Sequence, residues 1–118
     1  MNEILKEVIK GLNICECEKL KKEGYTNSCF FKNDNLNYEN LTENYTYVIK
    51  EKQKYFYVNC GYSGVFMVEK TTGEIFNIKG YGTPDKNKKI KANLGNIKNY
   101  TDLDKIKILH SKRYNSLR

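Results

Sequence analysis

The thiols and the imidazole of this sequence, its most versatile nucleophiles and metal ligands, number five: Cys15, Cys17, Cys29, Cys60 and His110. Structural zinc sites pair their ligands two to four residues apart. The Cys15-Glu16-Cys17 step is shorter, and on a helix its two thiols point to nearly opposite faces. Cys29 and Cys60 have no ligand-type neighbour, and His110 is the single histidine. The pattern predicts no metal and no other cofactor. A thiol nucleophile would need His110 as its base, with Cys60 as the partner, and no local signature joins the two. Pairs of carboxylates for acid–base work are in short supply, since residues 45–118 hold only six acids. The glycines of GYSGVF and GYGTPDKNKK match neither a Gly-x-Gly-x-x-Gly fingerprint nor a Walker A run. No catalytic residue is predicted, and the chain reads as a non-enzyme. The thiols are expected to be reduced, with Cys29 and Cys60 packed as small hydrophobes and Cys15 or Cys17 partly exposed.

Positive charge is the chemistry that this sequence holds in quantity. Twenty-one basic side chains against 14 acidic ones give a net charge of +7. Residues 1–44 are slightly acidic, at −2, whereas residues 45–118 carry fifteen basic groups against six acids, or +9. Such asymmetry points to an anionic partner for the second half. The candidate contacts are Lys86, Lys88, Lys89 and Lys91 in the Lys-rich stretch, then Lys98, Lys112 and Arg113. Lysines of this kind neutralise a phosphate backbone without reading its sequence. Tyr62 and Tyr81, with Tyr55 and Tyr57, supply stacking faces where they are exposed. The bland alternative is a solvated Lys-rich surface with its tyrosines packed in or over a sheet.

The elements that must position these groups follow from periodicity. A chain of 118 residues fits one domain spanning 1–118. Ile4, Leu5, Val8, Ile9 and Leu12 fall on one helical face, and the spacing predicts a helix over about 2–22, interrupted near Gly11–Ile14 and stopped at Gly24. The Asn-rich segment 25–44 predicts irregular structure, because Asn side chains bond their own backbone. Phe30, Phe31 and Leu36 are its anchors onto the core. From Tyr45 the period changes to two. Strands are expected up to Lys50, over 55–60, 64–69 and 74–79, with Gly61 and Gly64 in turns and Gly73 at positive φ in a hairpin. Strands 64–69 and 74–79 are apolar on both faces, as central strands are. After a Lys-rich loop, with a short strand or turn near 89–94, Thr101-Asp-Leu-Asp104 reads as a variant capping box. Leu103, Ile106 and Leu109 then keep helical spacing, although the alternation of Ile106 and Ile108 also permits a strand. The expected fold is α+β: an N-terminal helix on an antiparallel sheet of four to five strands, then a basic C-terminal segment. No apolar run is long enough for a membrane span, and the N-terminus lacks the core of a secretory signal. A cytoplasmic protein with no membrane partner is expected.

One segment resembles a known group. Val68-Glu69-Lys70-Thr71-Thr72-Gly73-Glu74-Ile75, then Gly80-Tyr81-Gly82-Thr83-Pro84 and later Gly95-Asn96-Ile97, is similar to a stretch of small uncharacterised bacteriophage proteins. Those carry a V-x-K-x-T-G-x-I hairpin, a Gly-aromatic run, a proline and a closing G-N-I. The likeness covers roughly residues 62–97. Tyr81 stands where a tryptophan is expected, and the insert between Pro84 and Gly95 is longer. The resemblance implies a phage accessory protein in the host cytoplasm that binds and blocks a host defence complex, in the manner of an anti-CRISPR. The hairpin also resembles bacterial immunity proteins, some of them cystatin-like, which implies toxin neutralisation as an alternative. A small enzyme dependent on Cys60 or His110 is the third. Inhibitors that imitate DNA are acidic, so the charge of this chain argues against mimicry.

Overall fold

The computed structural model describes residues 2–80, 83–85 and 94–116, with side chains for 3–78 and 94–111. Helix α1 runs without a break over Asn2–Lys22. Leu5, Val8 and Leu12 are fully buried, and Ile4 and Ile9 pack at the edges of the same stripe. The predicted interruption at Gly11 is absent. Gly11 lies beneath Ile106, and a Cβ there would stand 2.6 Å from the Ile106 Cδ1. The glycine is therefore a point of close helix–helix approach rather than a break. At the other end Gly24 adopts φ 82°, with Tyr25 N–H donating to Leu20 O at 2.8 Å and Gly24 N–H to Lys21 O at 3.2 Å. This is the Schellman pattern of helix termination.

Five antiparallel strands follow in sequence order: β1 (Tyr47–Glu51), β2 (Tyr55–Cys60), β3 (Ser63–Glu69), β4 (Ile75–Gly80) and β5 (Thr83–Asp85). A second helix, α2, spans Leu103–Ser116. The chain is thus α+β, as its periodicities predict, and the C-terminal basic segment is helical. Among the described residues no helix is long and apolar enough to cross a membrane.

Register sorts the side chains onto two faces. Tyr47, Phe56, Val58, Cys60, Phe66, Val68 and Ile75 meet the apolar stripe of α1 in one core, joined by Leu94, Ile97, Tyr100, Ile106 and Leu109. On the opposite face Tyr57 pairs with Met67, and Met67 with Phe76. Met67 and Phe76 are buried there as well. Consecutive burial of Phe66, Met67 and Val68 matches the central place of β3. Gly64 is a strand residue rather than the predicted turn residue. It sits beside a register shift in the β2–β3 pairing, and the Ile78 side chain fills the space its Cβ would take.

The Asn-rich segment behaves as its composition predicts. Asn27, Asn33 and Asn37 each accept, through Oδ1, the backbone N–H two residues on, at 2.8–3.0 Å. Phe31 and Leu41 pair in an isolated bridge and cover Cys17 and Leu20 in a second, smaller core, with Phe30 and Leu36 against it. The predicted cysteine burial is corrected here. Cys15 faces the main core and Cys17 the smaller one, so both are buried, while Cys29 is exposed on its loop.

The β3–β4 hairpin is held from outside. Gly73 has φ 80°, and its carbonyl accepts the Ile97 N–H at 2.8 Å. Ile75 N–H donates to Gly95 O at 2.8 Å, and Asn96 Nδ2 donates to Thr72 O at 2.8 Å. The Thr-Gly turn and the later Gly-Asn-Ile are therefore two halves of one structural lock. A Cβ on Gly73 would meet Asn96 Oδ1 at 2.7 Å. Gly73→Val is expected to lower stability by about 2 kcal/mol or more, from the left-handed backbone and the displaced Asn96 together. Urea unfolding checks this, and a midpoint equal to that of the unsubstituted protein would contradict the lock.

Candidate functional site

Helix α2 is set by Asp102, whose Oδ1 accepts the Lys105 N–H at 2.9 Å. The cap is Asp102, not the Thr101 of the expected box. Ile106, Leu109 and His110 turn inward, which leaves Lys105, Lys107 and Ile108 outside. Ile108 is 54 % exposed. The helical period thus prevails over the alternation of Ile106 and Ile108. Lys98 lies just before, on the 3-10 turn Ile97–Asn99, and is exposed. Together Lys98, Tyr100, Lys105 and Ile108 border a shallow cleft of about 430 Å3 that no carboxylate among the described residues lines.

Ion pairs tie down some of the lysines in each half of the chain. At the C-terminal end of α1, Lys19 meets Glu23, the residue after the helix, at 3.2 Å, and Lys21 meets Glu18 at 3.5 Å. In the second half Lys70 reaches Glu51 at 2.7 Å, whereas Lys98, Lys105 and Lys107 have no ion-pair partner among the described residues. Of the candidate contacts, Lys98 is therefore an exposed cation with no carboxylate of the described residues beside it. Tyr62 stands 85 % exposed in the β2–β3 turn. Tyr55 and Tyr57 are half-buried on the outer sheet face, where Tyr55 meets Phe76 edge to face at 6.3 Å. Lys86, Lys88, Lys89, Lys91 and Tyr81 lie outside the described residues. Lys112 and Arg113 belong to α2, and their side chains lie outside them too.

The thiols and the histidine are placed differently from the sequence expectation. His110 Nε2 stands 2.9 Å from Glu16 Oε1, and both side chains are buried. The Tyr47 ring lies against the imidazole, with centroids 6.1 Å apart. Cys60 Sγ donates to Asn44 O at 3.8 Å. Burial pushes the Cys15 and Cys17 thiols up, against a smaller opposing pull from Lys107 on Cys15 and Lys21 on Cys17. A raised thiol is a poor nucleophile at neutral pH. Among the described residues no group of three metal-ligating side chains occurs. The expected outcome with a thiol reagent such as Ellman's is one fast equivalent, at Cys29, and three that react only as the protein opens. Fast modification of two or more thiols would contradict this burial.

The Asn13 carboxamide adds a structural tie that residue type alone does not announce. Its Oδ1 accepts the Tyr47 N–H at 2.7 Å and its Nδ2 donates to Tyr47 O at 3.4 Å. The amide stands in for a neighbouring strand on the edge of β1, which ties α1 to the sheet and protects that edge. Comparison with known protein families, curated proteins and solved structures gives no match.

Proposed function

We propose that this is a non-enzymatic binding protein of phage type that inhibits a host defence nucleoprotein complex, contacting it through the basic second half. The observation that carries the reading is the cleft of Lys98 and Lys105 around exposed Ile108. It offers two cations, with no carboxylate among the described residues that line it, beside an apolar anchor. Cations beside an exposed apolar side chain suit a surface where phosphate lies next to protein. The resemblance of residues 62–97 to small phage proteins supplies the setting.

A second reading, direct binding of nucleic acid, is favoured by Tyr62, a nearly free ring in a turn on a basic protein. The immunity-protein alternative rests on the hairpin alone, and in this fold that hairpin is engaged with Gly95–Ile97. The small-enzyme alternative rests on Cys60 and His110.

Affinity capture from phage-infected cells, with and without nuclease, separates these readings. A protein complex that stays bound after nuclease supports the proposal. Loss of all bound material with nuclease replaces it with nucleic-acid binding, and recovery of a single toxin replaces it with immunity.

A further inference from the structure

A larger groove lies along the junction of α1 with α2 and, among the described residues, shares none with the Lys98–Lys105 cleft. Its volume is about 820 Å3, within the range of small-molecule sites. Ile14, Cys15 and Leu103 give it apolar walls. Leu103 keeps the helical spacing of Ile106 and Leu109 but is 39 % exposed, so the core does not use it. A ligand that covers Leu103 and Ile14 recovers hydrophobic area that folding leaves in water.

The charges of this groove are not balanced. Its two exposed carboxylates among the described residues are both engaged by lysines of α1, Glu18 by Lys21 and Glu23 by Lys19. Lys22 and Lys107 line the same groove, are exposed, and have no ion-pair partner among the described residues. The Cys15 thiol in the apolar wall feels the Lys107 ammonium and, in the opposite sense, the Glu16 and Glu18 carboxylates, so charges of both signs border that wall. His110 also lines the groove and is held by Glu16.

We propose that the α1–α2 groove binds a small amphiphilic anion, its apolar body over Ile14, Cys15 and Leu103 and its anionic head at Lys22 and Lys107. This reading does not rest on the nucleoprotein interface, since among the described residues the groove and the Lys98–Lys105 cleft have different linings.

The test uses the full chain with three probes, dodecanoate and dodecyl phosphate below their micelle concentrations and dodecanol below its solubility limit. Calorimetry measures affinity, and amide NMR shifts locate the site. The expected result is that at least one anionic probe binds about tenfold or more tighter than dodecanol, the effect of one charge-assisted hydrogen bond. Shifts should centre on Ile14, Cys15, Leu103 and Lys107. Whether the carboxylate or the phosphate binds tighter identifies the natural head group. Lys22→Glu with Lys107→Glu should remove the preference for the anions and leave dodecanol binding unchanged. Both positions are exposed, so an unchanged melting curve verifies the fold. Leu103→Glu should weaken all three probes. Equal binding of dodecanol and the anions, shifts centred on Lys98 and Ile108, or no binding by any probe would overturn the proposal.

Discussion

Val8→Asp is expected to lower stability by about 3 kcal/mol, which for a domain of this size is a fall in melting temperature of roughly 10 °C or more. Val8 has no exposed surface and lies in the core shared by α1 and the inner sheet face. A carboxylate there must either stay charged in an apolar site or take up a proton, and both are unfavourable. A loss of this size is a large part of the total stability of a small domain. Lys6→Asp, on the exposed face of the same helix, is the control and should change stability by less than about 0.5 kcal/mol. Thermal unfolding followed by circular dichroism makes the comparison. Equal melting temperatures for the two variants would mean that this face of α1 does not hold the sheet.

The fold was legible where a periodic pattern reports a local requirement. The stripe Leu5, Val8 and Leu12 shows the buried face of α1 because 3.6 residues per turn bring those positions together. Consecutive apolar residues in VFMV mark β3 as central because both of its faces are covered. Gly73 was legible from the tightness of the turn between two strand patterns. Gly11 was not, because its reason for being glycine is Ile106, far along the chain. The misplacement of the cysteines has the same origin. Cys15 and Cys17 do point to opposite sides of α1, but the Asn-rich segment supplies a second covering layer through Phe31 and Leu41. Local pattern gives the direction of a side chain and says little about what arrives from a distant segment to cover it.

The same limit governs the sites. Spacing ruled poorly on His110, whose partner Glu16 is separated from it by 94 positions. The α1–α2 groove had no signature, since Ile14 and Leu103 become neighbours only when α2 docks. Net charge was different, because it is a sum over residues and needs no geometry. It pointed to the second half of the chain, and the structure adds which lysines there lack acidic partners among the described residues. Ile108 was read as half of an alternating pair, and only the helix shows that it faces outward.

Reversing charge in the second half should abolish partner binding while leaving the fold intact. Two sets of substitutions divide the surface: Lys86, Lys88, Lys89 and Lys91 to Glu, and Lys98 with Lys105 to Glu. Lys98 and Lys105 are exposed and have no ion-pair partner among the described residues, so their reversal breaks no salt bridge there. Each surface change should alter stability by no more than about 0.5 kcal/mol. Binding should respond far more strongly. If the partner presents phosphate, every phosphate that a lysine ceases to neutralise keeps its counterion, which lowers the slope of log affinity against log salt by about 0.9 on duplex DNA. The double reversal should thus reduce that slope by about two and weaken binding at least a hundredfold at physiological salt, and the quadruple set should do more. A steep loss from the double set alone places the interface on the Lys98–Lys105 cleft and makes Ile108→Ser a third variant with a measurable effect. Full binding by both sets would reduce the excess of lysine to solvated surface. Recognition would then fall to Tyr62, the most exposed aromatic ring among the described residues, and Tyr62→Ala should cost about 1–3 kcal/mol of affinity with little change in salt slope.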